Sequence, residues 1–349
     1  MSVPFVQRYR IARYVIAQRL QKRHRYPLVL MLEPLFRCNL ACPGCGKTDY
    51  PDEVLKRRLP AEDCLSASDE CGAPIVSISG GEPLLHEEMP LIVAGLVKRK
   101  RFVYLCTNGL LLGPRIQDYV PSPYFTVSVH LDGHRARHDA LTRPGVYDLA
   151  VDAIRSACAK GFRVTVNCTV YEGMAAEETA TFFDFVMGLG VEGITVSPAY
   201  RYARARQKET FLVRDRSKRL FREIFKMGIG RRWRFNQSNL FLDFLAGNQA
   251  YQCTPWGNPT RNLFGWQKPC YLLAGEGHAP SFRALMEETD WSRYGLGRNP
   301  MCADCMLHSG FEPTAVNDTL KHPLKALYVY LRGQRTEGPM AAESSPVDQ

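Results

Sequence analysis

From residue 27 onward the apolar positions fall into short runs, each followed by a longer stretch with helical spacing. The runs YPLVLMLEP (26–34), PIVSISG (74–80), FVYLCTN (102–108), YFTVSVHL (124–131), FRVTVNCTV (162–170) and GITVSPAY (193–200) are the strand candidates. The stretches 60–71, 87–99, 110–119, 135–160 and 176–189 predict helices. Six such repeats predict an α/β fold with a parallel sheet, either open or closed into a barrel. In both cases functional groups collect at the C-terminal ends of the strands.

The flanks differ in pattern. Residues 1–26 hold VQRYRIARYVIAQRLQKRHRY, which predicts a helix with Ile11, Tyr14, Val15 and Leu20 as its apolar side and basic residues on the other. Either a membrane-surface helix or a solvated cap fits that pattern. After residue 200 the rhythm changes: 216–249 predicts helix, and 250–312 is rich in Cys, Gly, Pro and Trp with little periodicity. Four parts are therefore expected: a basic N-terminal segment (1–26), the repeat region (27–200), a loop-rich, cysteine-containing module (201–335) and a disordered tail (336–349).

Charge sharpens the picture. The chain of 349 residues carries a net charge of +10, unevenly placed. Residues 1–26 hold seven Lys/Arg and no acid, and residues 201–234 hold thirteen Lys/Arg against three acids. Such excess points to an anionic contact: nucleic acid, phosphates or an acidic lipid surface. No apolar run reaches the length of a transmembrane helix, and the charged start, without a continuous apolar stretch, gives no expectation of a secretory leader. Twelve cysteines in a chain expected to be cytoplasmic argue for reduced thiols and metal ligation.

The chemistry begins in CNLACPGCGK, where Cys38, Cys42 and Cys45 follow the first predicted strand. Three readings compete: a zinc site, which wants a fourth ligand and has no nearby histidine; core cysteines; and a four-iron cluster whose fourth iron stays open to a substrate. In the C-terminal module, Cys253, Cys270, Cys302 and Cys305 form a second set, with CADC as a C-x2-C knuckle. Zinc or a closed cluster fits that set. Cys64, Cys71, Cys158 and Cys168 read as packing.

From about residue 27 to 200 the sequence resembles the radical S-adenosylmethionine (SAM) superfamily. The resemblance rests on the cysteine trio with SGGEP (79–83), CTNG (106–109) and VHLDG (129–133), each after a predicted strand. It implies a partial (β/α)6 barrel, a [4Fe-4S] cluster on Cys38, Cys42 and Cys45, and SAM as cofactor. An external electron donor such as a flavodoxin or ferredoxin is implied too. Gly80 and Gly81 would let backbone approach the methionyl group closely, and Glu82 would accept from its ammonium or anchor the loop. Asn108, Ser128, Asp132 and Asn167 are the further SAM contacts, with Asp132 on the ribose hydroxyls and Thr165, Asn167 and Thr169 forming a polar stripe. The superfamily usually places an aromatic residue before the third cysteine; Gly44 stands there instead, which leaves room at the adenine end.

Within the superfamily, the segments RHDALTRPGVYD, PWGNPTRNLFGWQKPCYLL and CADCMLHSGFEPTAV extend the likeness across the chain, toward the hopanoid branch of adenosylhopane synthases. That branch implies addition of the 5′-deoxyadenosyl radical to the alkene of diploptene, a substrate drawn from the membrane, and peripheral attachment at its inner face. Relatives in the branch often carry a cysteine where this chain has Ser309. The second cysteine set is similar to auxiliary-cluster modules of radical SAM proteins. Phe211, Phe241, Phe244, Trp256, Phe264 and Trp266 either line an apolar substrate pocket or form the module's core. Cys106 is the expected hydrogen donor that quenches the product radical, with Tyr104 behind it. The alternatives are a hydrogen-abstracting maturase acting on a peptide or protein, and a zinc-stabilised nucleic-acid binder. The βα array and the motif order argue against nucleic acid as a partner.

Overall fold

A computed structural model describes residues 3–200, 210–273 and 275–343. A long helix, α1 (Phe5–Leu20), leads into the strand β1 (Val29–Leu32). The helices α2 (Asp52–Leu55) and α3 (Ala61–Cys71) precede β2 (Ile75–Ile78). Then come α4 (Met89–Lys98), β3 (Phe102–Thr107), α5 (Leu112–Arg115), β4 (Phe125–His130), α6 (Arg135–Leu141), α7 (Val146–Ala159), β5 (Arg163–Val170), α8 (Ala176–Gly188) and β6 (Gly193–Pro198). β1 to β6 are all parallel and lie side by side in sequence order, each pairing with the next, as a partial barrel requires.

Strand alternation divides the sheet into two chemical faces. Val76, Ile78, Val103, Leu105, Val127, Val129, Val164 and Val166 are buried in one core cluster with residues of α3, α4, α7 and α8. The alternate positions Ser77, Tyr104, Cys106, Thr126, Ser128, Thr165 and Asn167 give the other face a polar, small-residue lining. Gln7 of α1 reaches Tyr104 there, with its Nε2 2.9 Å from the hydroxyl.

Three predicted helices are interrupted. The 135–160 stretch breaks between α6 and α7 because Gly145 takes a positive φ of 85° and Asp139 accepts from the amides of Gly145 and Tyr147. Near Pro114 the helix yields only α5 and a 3-10 turn, Ile116–Asp118. The 216–249 stretch divides into α9 (Arg214–Met227) and α10 (Asn239–Leu245), the second capped by Ser238, whose hydroxyl accepts from Phe241 N–H at 3.2 Å.

The C-terminal region is continuous with the sheet. β7 (Thr260–Asn262) adds parallel to β1, and β8 (Gly265–Gln267) and β9 (His278–Ala279) follow antiparallel, making nine strands among the described residues. α11 (Phe282–Glu288), α12 (His308–Lys321) and α13 (Pro323–Arg332) complete the chain. Phe241, Phe244 and Trp266 are fully buried, so they form this region's core rather than a substrate pocket, and Phe264 packs on Phe36 and Tyr50. Phe211 and Trp256 are partly buried.

Two charge expectations change. Much of the basic run 201–234 pairs within the protein where it is described, while Arg219 and Arg232 are exposed; residues 201–209 lie outside the described residues. Arg214 and Lys218 pair with Glu343, Arg216 with Glu172, Lys226 with Glu337 and Arg231 with Asp184. Arg222 donates to the carbonyls of Ala246 and Gly338, each at 2.7 Å. In the tail, Glu343 is the carboxylate of the buried Arg214 and Lys218, and Glu337 pairs with the exposed Lys226. Replacing Glu343 by alanine leaves Arg214 and Lys218 without their carboxylate and should cost about 1–3 kcal/mol of stability, measured by denaturant unfolding; an unchanged midpoint would remove this role for the tail.

Candidate functional site

The loop after β1 carries Cys38, Cys42 and Cys45, all partly buried and reduced, at the C-terminal edge of the parallel strands. Its entry is stitched to the loop after β2: Gly81 N–H donates to Leu35 O and Glu82 N–H to Arg37 O, each at 2.9 Å. A Cβ at Gly80 would overlap Leu35 O, and one at Gly81 would overlap Arg37 O and Phe36 O. Gly80 also has a φ of 107°. These glycines make room for the protein's own cysteine loop.

Both acids are held inside the protein. Glu82 is buried and accepts from Leu84 N–H at 3.0 Å, Thr107 Oγ1 at 2.8 Å and Asn108 N–H at 2.9 Å. Burial pushes its carboxyl pKa up, and these three donors oppose that rise. It anchors the loop after β3, the second of the roles expected for it. Asp132 is likewise buried: Oδ1 accepts from Thr169 N–H at 2.7 Å and Oδ2 lies 2.7 Å from His130 Nε2. It ties the end of β4 to β5.

His138 holds this corner from α6, its Nδ1 accepting from Asp132 N–H at 3.2 Å. Burial pushes its pKa down to about 4, so at neutral pH the ring accepts that bond. For His130 burial favours the neutral form, but the adjacent Asp132 carboxylate wins and the pKa rises.

Asn108 joins the cysteine loop directly. Its Nδ2 donates to Asn39 Oδ1 at 2.8 Å and points at Cys38 Sγ from 3.8 Å. Leu40 N–H and Lys47 N–H donate to Cys38 and Cys45 Sγ at 3.4 and 3.5 Å. As thiols, Cys38 and Cys42 are pushed up to about 11 and 12, chiefly by burial and then by neighbouring groups that include the other cysteines. A polycation such as an iron–sulfur core favours their deprotonation, and the amide donors stabilise the resulting thiolates. Three thiols fit a four-iron cluster that keeps one iron open.

Cys106, Ser128 and Asn167 share the polar face of the sheet below this loop. Cys106 Sγ lies 3.4 Å from Ser77 Oγ and is paired in register with Ser128. Several contributors escaped the sequence reading. Lys47 bridges to buried Glu33 at 2.7 Å and lies over the rings of Phe36 and Tyr271, locking the cysteine loop to β1 and to the C-terminal region. The CGK triplet was its only signal. Tyr171 Oη stands 3.9 Å from where a Cβ on Gly44 would sit, so the space at Gly44 is faced by an aromatic from the end of β5. Arg137 packs its stem on Gly133, and its Nε and one terminal nitrogen are buried without a protein partner, a cation able to take an anionic group.

The close approach at Gly81 yields a sharp expectation. Gly81→Ala should displace the cysteine loop and reduce cluster iron after anaerobic reconstitution by more than about half, while the circular dichroism of the sheet and helices stays near wild type. Full iron loading would show that the loop tolerates the extra carbon.

Comparison with known proteins agrees with this geometry. Residues 32–186 match the model of the radical SAM superfamily, and residues 194–329 match a domain of unknown function, DUF3463. The chain is 28% identical over 183 residues to PqqA peptide cyclase of Streptomyces rochei, covering 50% of this chain and 49% of that protein. It is 27% identical over 149 residues to GTP 3′,8-cyclase of Clostridium perfringens, covering 41% and 46%. The chain thus spans about half the length of the curated relatives it matches. Streptococcus suis SuiB bound to S-adenosylmethionine superposes with a TM-score of 0.62 at 18% identity, over 76% of this chain and 65% of SuiB, which speaks to the fold. With its cysteine trio at the strand edge and a [4Fe-4S] cluster and SAM as its cofactors, the region 32–186 of this chain belongs to the radical SAM superfamily.

Proposed function

We propose that this protein is an adenosylating enzyme acting on a hopene in hopanoid biosynthesis. When bound, the cluster and SAM supply a 5′-deoxyadenosyl radical, which in this reading joins the terminal alkene carbon of diploptene and remains in the product as adenosylhopane. Addition leaves a tertiary carbon radical that needs a hydrogen atom.

The observation that carries the reading is Cys106. Its thiol lies on the polar face between Ser77 and Ser128, two residues before the Asn108 that touches Cys38. Burial raises its pKa, so the sulfur keeps its hydrogen at neutral pH. In the step, the S–H bond breaks and a C–H bond forms at the tertiary carbon. The thiyl left behind is restored by one electron and one proton, the electron coming from a flavodoxin- or ferredoxin-like donor. Tyr104, the fallback donor, already bonds Gln7 with its hydroxyl.

The outer surface supports a substrate held in lipid. α1 packs with Gln7, Val15 and Gln18 inward, while Phe5, Tyr9, Ile16 and Leu20 form one outward stripe, with Leu20 80% exposed. Arg8, Arg13 and Arg19 are exposed on the same helix. α13 presents Leu324, Leu327, Tyr328 and Leu331 at helical spacing, with Leu324 81% exposed. Beside α1, Arg10, Arg13, Lys100 and Arg101 line a cavity suited to a phosphate headgroup. No helix among the described residues is long or apolar enough to cross a membrane, so contact through these helices would be interfacial.

A second reading, a maturase acting on a peptide, draws on the likeness to PqqA peptide cyclase. Product analysis separates the two. Anaerobic incubation with SAM, reductant and dispersed diploptene should give a triterpene heavier by the deoxyadenosyl group, seen by mass spectrometry. Free 5′-deoxyadenosine without an adduct would end the adenosylation reading. Cys106→Ala should still form the carbon–carbon bond while saturated product falls at least about tenfold; a normal yield would remove Cys106 as donor.

Vesicle sedimentation checks the surface. Binding to vesicles containing phosphatidylglycerol should exceed binding to phosphatidylcholine vesicles, and Leu327→Glu with Leu331→Glu should weaken it about tenfold. Equal binding to both vesicle types, or no effect of the double substitution, would overturn lipid docking.

A further inference from the structure

We infer that His308 and Glu312, supplied by the C-terminal region, form a subsite on the inner wall of the partial barrel that holds the nucleoside part of SAM. The two side chains lie one turn apart on α12, and His308 meets the sheet at its edge strand, β6.

Strand parity places them on the polar face. Thr195 and Ser197 of β6 stand in register with Asn167 and Thr169 of β5, so they share the face that carries Cys106 and Ser128. His308 Nδ1 lies 2.7 Å from Ser197 Oγ, which leaves Nε2 as the ring atom for a ligand. Past α9 the chain runs parallel to β6, with Phe235 paired to Ile194. There Asn236 Nδ2 donates to Thr195 Oγ1 at 3.2 Å. The Gln237 carboxamide takes the place of a backbone partner, accepting from Val196 N–H at 2.9 Å and donating to Val196 O at 2.7 Å. Ser238 follows on the side of Asn236, and its N–H donates to Glu312 Oε1 at 2.7 Å. The polar wall of the sheet thus continues onto α12. Asn167, Thr169, Thr195, His308 and Glu312 each keep part of their surface open, while Ser197 is buried. The other side of α12 is separate: Ser309, Gly310 and Phe311 border a cavity shared by Cys253, Cys270, Cys302 and Cys305.

The chemistry of the wall selects the ligand. It offers hydroxyls, carboxamides, an imidazole and a carboxyl, with no Lys or Arg among these residues. Burial pushes the His308 ring down to about 4 and the Glu312 carboxyl up to about 8, so at neutral pH the ring is uncharged and the carboxyl mostly so. Uncharged donors and acceptors favour an uncharged, hydrogen-bonding ligand over a phosphate, a carboxylate or a hydrocarbon. The nucleoside of SAM has that character in its adenine edges and ribose hydroxyls. The cysteines follow β1, and β6 is the parallel strand farthest from it in the sheet. Residues 194–329, matched only to a domain of unknown function, thereby complete the cofactor site that residues 32–186 begin.

The inference rests on SAM as cofactor and not on the acceptor alkene, and its test uses no triterpene. Full-length protein carrying its cluster is treated anaerobically with diethyl pyrocarbonate, which labels accessible neutral imidazoles, and His308 is followed by peptide mass spectrometry. The ring should be labelled without nucleoside and protected severalfold by saturating 5′-deoxyadenosine. In equilibrium dialysis, His308→Ala should weaken 5′-deoxyadenosine binding about tenfold, with His308→Gln recovering part of the loss and cluster iron unchanged. Glu312→Gln should bind nearly as wild type and Glu312→Leu less well, because only the amide keeps a donor and an acceptor. An unlabelled His308, labelling that the nucleoside does not slow, or wild-type affinity in His308→Ala overturns the inference. Labelling of the wild-type protein decides the matter whether or not the variants fold.

Discussion

The site depends on one close backbone contact. The chain leaving β1 passes across Gly80 and Gly81 at a distance that excludes any side chain there, and the amides of Gly81 and Glu82 bond its carbonyls. This fixes where the cysteine loop begins. Glu82, buried beneath, then fixes the loop after β3, and through Asn108 that loop reaches Cys38. The three strand-end motifs are thus one mechanical unit. Any ligand held by the cysteines inherits its position from hydrogen bonds made by residues whose side chains need never touch it.

A second theme is the division of charge. Basic residues of α9 turn inward or pair with acids, two of them on the C-terminal tail, so much of that run's excess is internal. Basic residues of α1 stand outward beside exposed aromatic and aliphatic groups. Sequence composition weighs the two runs alike. Burial separates them, because a buried cation requires a partner and an exposed one is satisfied by water.

The parallel strands were legible because each is a short run of apolar or alternating residues bounded by loop residues, and all six lie within the expected ranges. The helical breaks at Gly145 and between α9 and α10 were less so, since Asp139 and Ser238 act through turns that a periodic pattern ignores. β7 to β9 escaped notice because strands of two or three residues carry no detectable alternation. In α1 the apolar residues face both ways, with Gln7 and Gln18 buried, so the single apolar side expected for Ile11, Tyr14, Val15 and Leu20 is split: Val15 is buried and Leu20 exposed.

The sequence alone determined the βα order, the placement of Cys38, Cys42 and Cys45 after the first strand, and Cys106 on the third, because spacing and strand parity are local properties of the chain. Only the tertiary structure decided what Gly81, Glu82 and Asp132 touch, which cations are neutralised, and that Cys253, Cys270, Cys302 and Cys305 share one cavity. Those outcomes depend on which distant backbone segments come within a few ångströms, and a linear pattern does not encode that distance.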